Sequence, residues 1–257
     1  MPETDVALLA AAARRAGEIA KSHFGQNPET WDKGDGAGPV TAADLAVNAM
    51  LHDTLRAARP DYGWLSEEDP DSAARLSSKR LFVVDPIDGT RAFIAGDKDW
   101  GHSIAVVENG VPVAAAIAMP MRGQIYTAAT GTGAFLNDAP IRASTQTDPA
   151  ATTVLTAKPN LAPCYWTPAG PPPFKRSFRS SLAYRMALVA SGRFDAMLTL
   201  RPTWEWDIAA GTLLVTEAGG TVTDHTGAAL RFNNPHPQVA SVLAAGAVHA
   251  PINAALA

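Results

Sequence analysis

The sequence predicts an α+β fold in which two α/β layers share one cleft. Three observations lead there. Apolar residues at helical spacing dominate the N-terminal end, short apolar runs separated by turn formers fill the middle, and two further helical stretches lie toward the C-terminus. A doubly wound parallel sheet would interleave strand and helix throughout, so the clustering argues against one. With 257 residues, 47% hydrophobic and 18% charged, the chain can bury a sizeable core as one large domain or two intimate ones.

Val6, Leu9, Ala13, Ala16, Ala20 and Phe24 recur at steps of three and four, one apolar stripe on a helix over residues 4–24. Trp31 to Pro39 is rich in glycine and charge and reads as a loop. Thr41 then caps a second helix carrying Leu45, Leu51 and Leu55, closed by Pro60. Strands are expected at Tyr62–Ser66, Leu81–Asp85, Ser103–Glu108, Val111–Ala118 and Ile125–Thr130. Asn109-Gly110 is the strongest hairpin signal, since both positions tolerate positive φ, and Leu136 to Ile141 reads as one more hairpin. The polar run Ser144 to Ala151 places a boundary near residue 145, dividing an N-terminal α+β part (1–145) from a C-terminal α/β part (146–257). The second part opens with a strand at Thr153–Ala157, followed by a Pro-rich stretch, Pro159 to Pro173, that reads as a mobile cover or surface loop. A helix at Ser181–Ser191, a strand at Phe194–Leu200, a helix at Asp207–Ala218 stopped by Gly219-Gly220, and strands at Thr221–Asp224 and Val239–Ala244 complete it.

Composition excludes several functions. Twenty-one Lys and Arg against 25 Asp and Glu leave a net charge of −4, no basis for binding nucleic acid by bulk charge. The single cysteine, Cys164, rules out an intramolecular disulfide and a Cys-rich zinc site, and suits a reducing compartment. Glu3 and Asp5 before the apolar stretch Val6–Ala13 have the wrong charge for a signal peptide. Val111–Met121 contains Pro112 and Pro120 and falls short of the ~20 residues of a spanning helix. The expectation is a soluble, cytoplasmic protein.

The segment Leu81-Phe82-Val83-Val84-Asp85-Pro86-Ile87-Asp88-Gly89-Thr90 carries the most chemistry. An apolar strand runs into two acids separated by Pro and Ile. Pro86 bends the chain so that Asp85 and Asp88 can point at one place, and Gly89 lets the backbone approach a ligand. Asp, Pro and Gly also make ordinary turns. Glu67 and Glu68 end another strand, and Asp207 opens the apolar run Ile208-Ala209-Ala210-Gly211, where alone it would read as a helix cap. Together these acids form a hard oxygen donor set without a Cys or His cluster, which suits Mg²⁺, and a paired-metal phosphate site is its natural use. The six histidines show no ligand spacing and read as structural or surface residues.

Four stretches in order resemble the inositol monophosphatase superfamily of Mg²⁺-dependent, often lithium-sensitive phosphatases: Gly38-Pro39-Val40-Thr41-Ala42-Ala43-Asp44, Ser66-Glu67-Glu68-Asp69, Asp85-Pro86-Ile87-Asp88-Gly89-Thr90 and Trp206-Asp207-Ile208-Ala209-Ala210-Gly211. The resemblance spans nearly the whole chain. It implies a layered α-β-α-β-α sandwich of the inositol monophosphatase / fructose-1,6-bisphosphatase type, and a homodimer. Carried over residue by residue, it implies that Glu67, Asp85 and the backbone carbonyl of Ile87 hold one Mg²⁺, that Asp85, Asp88 and Asp207 hold a second, and that a weaker third lies near Glu67. Asp44 and Thr90, with Glu67, would activate the attacking water. Asp88, Gly89, Thr90, Ser181 and Asp207 would meet the substrate, a small phosphorylated metabolite, with no nucleic acid or membrane involved. The implied reaction is direct in-line attack without a covalent intermediate, so Cys164 has no role. Metal charge explains how a net-acidic protein binds an anion.

For the substrate, the resemblance leans to a 3'(2'),5'-bisphosphate nucleotidase, with inositol-1-monophosphatase or histidinol-phosphatase as alternatives. The inositol and histidinol phosphatase branches hold an acid seven residues before the last metal-binding Asp, where this chain has Leu200. Pro202-Thr203-Trp204-Glu205-Trp206-Asp207 and Arg179-Ser180-Ser181-Leu182 resemble the 3'(2'),5'-bisphosphate nucleotidase branch, although Ala183 stands in place of that branch's lysine. Asp88-Gly89-Thr90-Arg91-Ala92-Phe93-Ile94 resembles the histidinol phosphatases equally. Lys33, Arg91, Arg179 and Arg201 are candidates for a second phosphate, and Trp204 or Tyr184 for stacking on a base. Each also reads as surface charge or core. A regulatory member that binds proteins or RNA machinery would need a basic stripe, for which Lys175 to Arg179 is the one short candidate. A sugar-phosphate binding protein would not need the full acid set.

Overall fold

The computed structural model describes residues 4–26, 28–34 and 38–257. Helix α1 (Asp5–His23) begins where Thr4 Oγ1 accepts the Ala7 N–H, and it buries Leu8, Leu9, Ala12, Ala13, Ala16 and Ala20. The expected loop from Trp31 to Pro39 is instead framed by a hairpin, β1 (Thr30–Asp32) against β2 (Pro39–Thr41). Strands this short are hidden by neighbouring glycine and charge, and residues 35–37 lie outside the described residues. Thr41 caps α2 (Ala42–Ala58) in a reciprocal capping box with Asp44.

Next come β3 (Gly63–Ser66), β4 (Arg80–Asp88), α3 (Thr90–Ile94), β5 (Gly101–Glu108), β6 (Val111–Met119), β7 (Gln124–Ala129), β8 (Gly133–Leu136) and β9 (Ala139–Ile141). They form a seven-stranded sheet in that order, parallel only between β3 and β4. Asn109 and Gly110 (φ 51° and 81°) and Asn137 and Asp138 (φ 48° and 65°) make the expected tight turns. Strand β4 does not stop at Asp85 but runs through Pro86 to Asp88, accommodated by a shift of register against β5.

The chain leaves this sheet after Ile141 and enters a second one at β10 (Thr153–Thr156), followed by β11 (Lys175–Ser177), α4 (Leu182–Ala190), β12 (Ala196–Thr199), β13 (Thr203–Trp204), α5 (Glu205–Glu217), β14 (Thr221–Thr223), β15 (Gln238–Val239), β16 (Val242–Ala245) and α6 (His249–Asn253). The second sheet is ordered β11-β10-β12-β16-β14. The expected strand Val239–Ala244 divides, because Val239 pairs with Thr203 outside this sheet. The Pro159–Pro173 stretch is a surface loop, exposed at Pro163-Cys164-Tyr165 and Pro168-Ala169, and pinned at Trp166, which is buried and donates Nε1–H to the Asn160 carbonyl at 2.9 Å.

The packing gives the α-β-α-β-α order. Helices α1 and α2 cover one face of the seven-stranded sheet, α4 and α5 lie between the two sheets, and α6 with Trp166 and Phe174 covers the far side. Every residue of α4 is buried, as a helix enclosed on both sides requires. A Cβ on Gly211 of α5 would come within 2.5 Å of Met186 in α4, so glycine permits this approach. Among the described residues, no helix is long and apolar enough to cross a membrane.

Candidate active site

Strands β3 and β4 run parallel and end side by side, which brings Glu67 beside Asp85. The first turn of α5 comes down on the same place, anchored by Ser103 Oγ, which donates to the Trp206 carbonyl at 2.9 Å. One carboxylate oxygen each from Glu67, Asp85 and Asp207 therefore lie within 4.8 Å of one another. Asp207 is the third residue of α5 and not its cap, which is Trp204. Asp85 is 1% exposed and its Oδ1 has no hydrogen-bond partner. A buried carboxylate oxygen left bare among other carboxylates fits a hard cation and little else.

Asp88 is buried beside this group, but its Oδ2 accepts Ser181 Oγ–H at 2.7 Å and the Ala183 N–H at 2.6 Å. Ser181, expected to meet substrate, is fully buried and also accepts the Tyr184 N–H. Its hydroxyl thus bonds Asp88 and starts α4. Gly89 has φ 100°, and a Cβ there would lie 2.9 Å from the Asp99 carbonyl, so the turn from β4 into α3 demands glycine. Thr90 Oγ1 lies 3.2 Å from Asp44 Oδ1 and 3.1 Å from the Ile87 carbonyl. Asp44 Oδ2 accepts both the Thr41 N–H and the Thr41 hydroxyl, so the N-terminal box of α2 also aims the acid that faces Thr90.

The other candidates separate. Lys33, from the β1–β2 hairpin, bridges Glu67 at 2.8 Å and Glu68 at 2.6 Å. Arg179 pairs with Asp99, Arg91 and Arg201 are exposed, Tyr184 is core, and Trp204 stacks on Trp206. Leu200 is buried against the outer face of the second sheet. Sequence reasoning missed Arg185, buried with Nε donating to the Arg179 carbonyl, and His102, buried against the Pro86 carbonyl. Neither stood in a recognisable pattern.

Burial, then mutual repulsion among Glu67, Asp85, Asp88 and Asp207, pushes Asp85 and Asp207 well above the ordinary carboxylate range. Burial likewise raises Asp88 to about 6, against the bonds from Ser181 and Ala183, and Glu68 to about 7, against Lys33. Without metal, the folded chain thus keeps protons that the unfolded chain releases near pH ~4. The stability contributed by these groups is full below that pH and is lost as pH rises through these elevated values. The expected result is a thermal midpoint in chelator that falls from about pH 5 to about pH 8, with a divalent cation restoring more at the higher pH. A midpoint rising over that range would contradict the crowded-acid account.

Residues 1–256 match the inositol monophosphatase family. The Nus factor SuhB of Salmonella typhimurium is 35% identical over 229 residues, covering 84% of this chain and 83% of that protein. An inositol-1-monophosphatase of Rhizobium meliloti is 33% identical over 234 residues, 86% of this chain and 85% of its own. Among solved structures, the Thermotoga maritima IMPase superposes with a TM-score of 0.82 at 28% identity, covering 95% of this chain and 93% of that one. Match, layered fold and clustered acids agree: the chain belongs to the inositol monophosphatase family of metal-dependent phosphatases and is a phosphoric monoester hydrolase.

Proposed function

We propose that the chain is a Mg²⁺-dependent phosphomonoesterase acting on a small metabolite with two phosphates, of the 3'(2'),5'-bisphosphate nucleotide class. One observation supports the substrate class. Leu200, where an acid would select for hydroxyls or an amine, is buried and apolar, while the charges of Arg201 and Arg185 act on Asp207, and that of Arg185 also on Asp88. The exposed guanidinium of Arg201, close enough for its charge to act on Asp207, favours a second anionic group over a polyol.

The all-oxygen donors Glu67, Asp85, Asp88, Asp207 and the Ile87 carbonyl would hold two or three Mg²⁺ ions. When bound, these supply Lewis-acid polarisation of the phosphate and a lowered pKa for water. The rest falls to the chain. Asp44, raised above the usual carboxylate range by burial, faces the Thr90 hydroxyl, and Thr90 orients the attacking water and passes its proton to Asp44. The Gly89 and Thr90 amides bind the phosphate, and Ser181 keeps Asp88 in place.

A second reading, a role in RNA machinery, is favoured by the relative named a Nus factor. Its one basic candidate is short, and of its three cations Arg179 is paired with Asp99. The test is phosphate release with Mg²⁺ from 3'-phosphoadenosine 5'-phosphate, inositol 1-phosphate, histidinol phosphate and fructose 1,6-bisphosphate in parallel. The expected result is a preference of about 100-fold in kcat/KM for the first, ~2.7 kcal/mol of discrimination. A comparable preference for inositol 1-phosphate or histidinol phosphate would reject the nucleotide reading. Inactivity on all four would favour the second.

A further inference from the structure

Strands β4 and β5 fall out of step at the acid cluster. Asp85 pairs with Ser103 and Asp88 with Gly101, so Pro86 and Ile87 together stand opposite one residue, His102. Such a bulge takes backbone groups out of the ladder, and each carbonyl then needs another partner. Ile87 O accepts the Thr90 hydroxyl. Pro86 O is met by a side chain, His102 Nδ1, through a hydrogen bond.

His102 is fully buried on the face of the sheet covered by α1 and α2. Its ring lies edge-on to Trp100 at 5.8 Å, and a Cβ on Gly17 of α1 would sit 4.0 Å from its Nε2. A carbonyl can only accept, so Nδ1 carries the hydrogen, and Nε2, which is buried with no hydrogen-bond partner, stays unprotonated. Burial pushes the imidazole pKa down to about 4, against the opposing effect of the Pro86 bond.

We propose that His102 is a positioning residue for the metal-binding loop, holding the Pro86 carbonyl through Nδ1–H so that Asp85 and Ile87, on either side of it, keep their arrangement. This rests on the metal-site reading above. An apolar side chain of similar size could fill the space, but it would leave the Pro86 carbonyl buried and unpaired, free to turn and carry its neighbours with it.

The test is Mg²⁺ binding to the chelator-stripped full chain by isothermal titration calorimetry, with folding checked by circular dichroism. His102→Leu is expected to weaken Mg²⁺ binding by about 10–100-fold. His102→Asn, whose amide N–H can take the Nδ1 position, is expected to stay within about threefold of the unmodified chain. A folded His102→Leu variant with unchanged affinity would overturn the proposal. Asp85→Asn separates the two readings: full affinity there would remove the metal-site reading and this one with it, whereas loss there without loss in His102→Leu removes this one alone. Should the leucine variant not fold, ¹⁵N-imidazole NMR of the unmodified chain decides. A neutral Nδ1–H ring from about pH 5 to about pH 8 is expected, and an Nε2–H ring or a titration in that range would overturn the proposal.

Discussion

Asp85→Asn is expected to abolish turnover while making the metal-free protein more stable. The two effects have one cause. Asp85 is 1% exposed, has a bare oxygen, and shares its site with Glu67 and Asp207 within 4.8 Å. In the proposed metal site that negative charge would hold a cation, and an amide cannot replace it. A fall in kcat of about 10³-fold or more, ~4 kcal/mol of barrier, is expected. In the absence of metal the same charge is a liability, since desolvation and repulsion by Glu67, Asp88 and Asp207 all oppose it. An isosteric neutral side chain removes that repulsion without opening a cavity. Each ~1 kcal/mol regained raises the midpoint by roughly 2–4 °C in a chain of this size. Kinetics in saturating Mg²⁺ and a thermal melt in chelator at about pH 8 check both signs. Residual activity near that of the unmodified chain would refute the metal assignment, and a lowered midpoint would refute the crowding argument.

Asp44→Asn is expected to produce the second-largest loss, by a different route. Asp44 Oδ2 closes the capping box of α2 with Thr41, and Oδ1 faces the Thr90 hydroxyl. An asparagine can retain the bond from the Thr41 N–H, so stability should change by no more than ~1 kcal/mol. It cannot accept a proton from water, and its amide would present a donor to Thr90 where the carboxylate accepted. A fall in kcat of about 10²–10⁴-fold is expected, with KM and the half-saturating Mg²⁺ concentration little changed. The distinguishing measurement is therefore the full set of constants. A large rise in the Mg²⁺ requirement would make Asp44 a metal ligand instead of a proton acceptor.

Much of this architecture was legible in the sequence because local chemistry and tertiary packing ask for the same thing. Asn109-Gly110 and Asn137-Asp138 adopt the positive φ values that their tight turns need, and Thr41 caps α2 as its position suggested. The apolar stripe of α1 is the face that packs. Where the reading failed, the deciding contacts came from far along the chain. β1 and β2 are only three residues each and exist by pairing with one another. Val239 left the second sheet for a partner in β13.

The sequence by itself determined the type of chemistry: hard oxygen donors at strand ends, a Pro-bent acid pair and a glycine turn admit a cation and an anionic ligand. Only the tertiary structure decided which acids crowd together, which oxygen is left bare, and what holds the loop in shape. Glu67 meets Asp85 because β3 and β4 run parallel, Asp207 joins them because α5 lies between two sheets, and His102 reaches Pro86 because a bulge sets two residues against one. Those are long-range consequences of packing and register, and no local spacing of residue types encodes them.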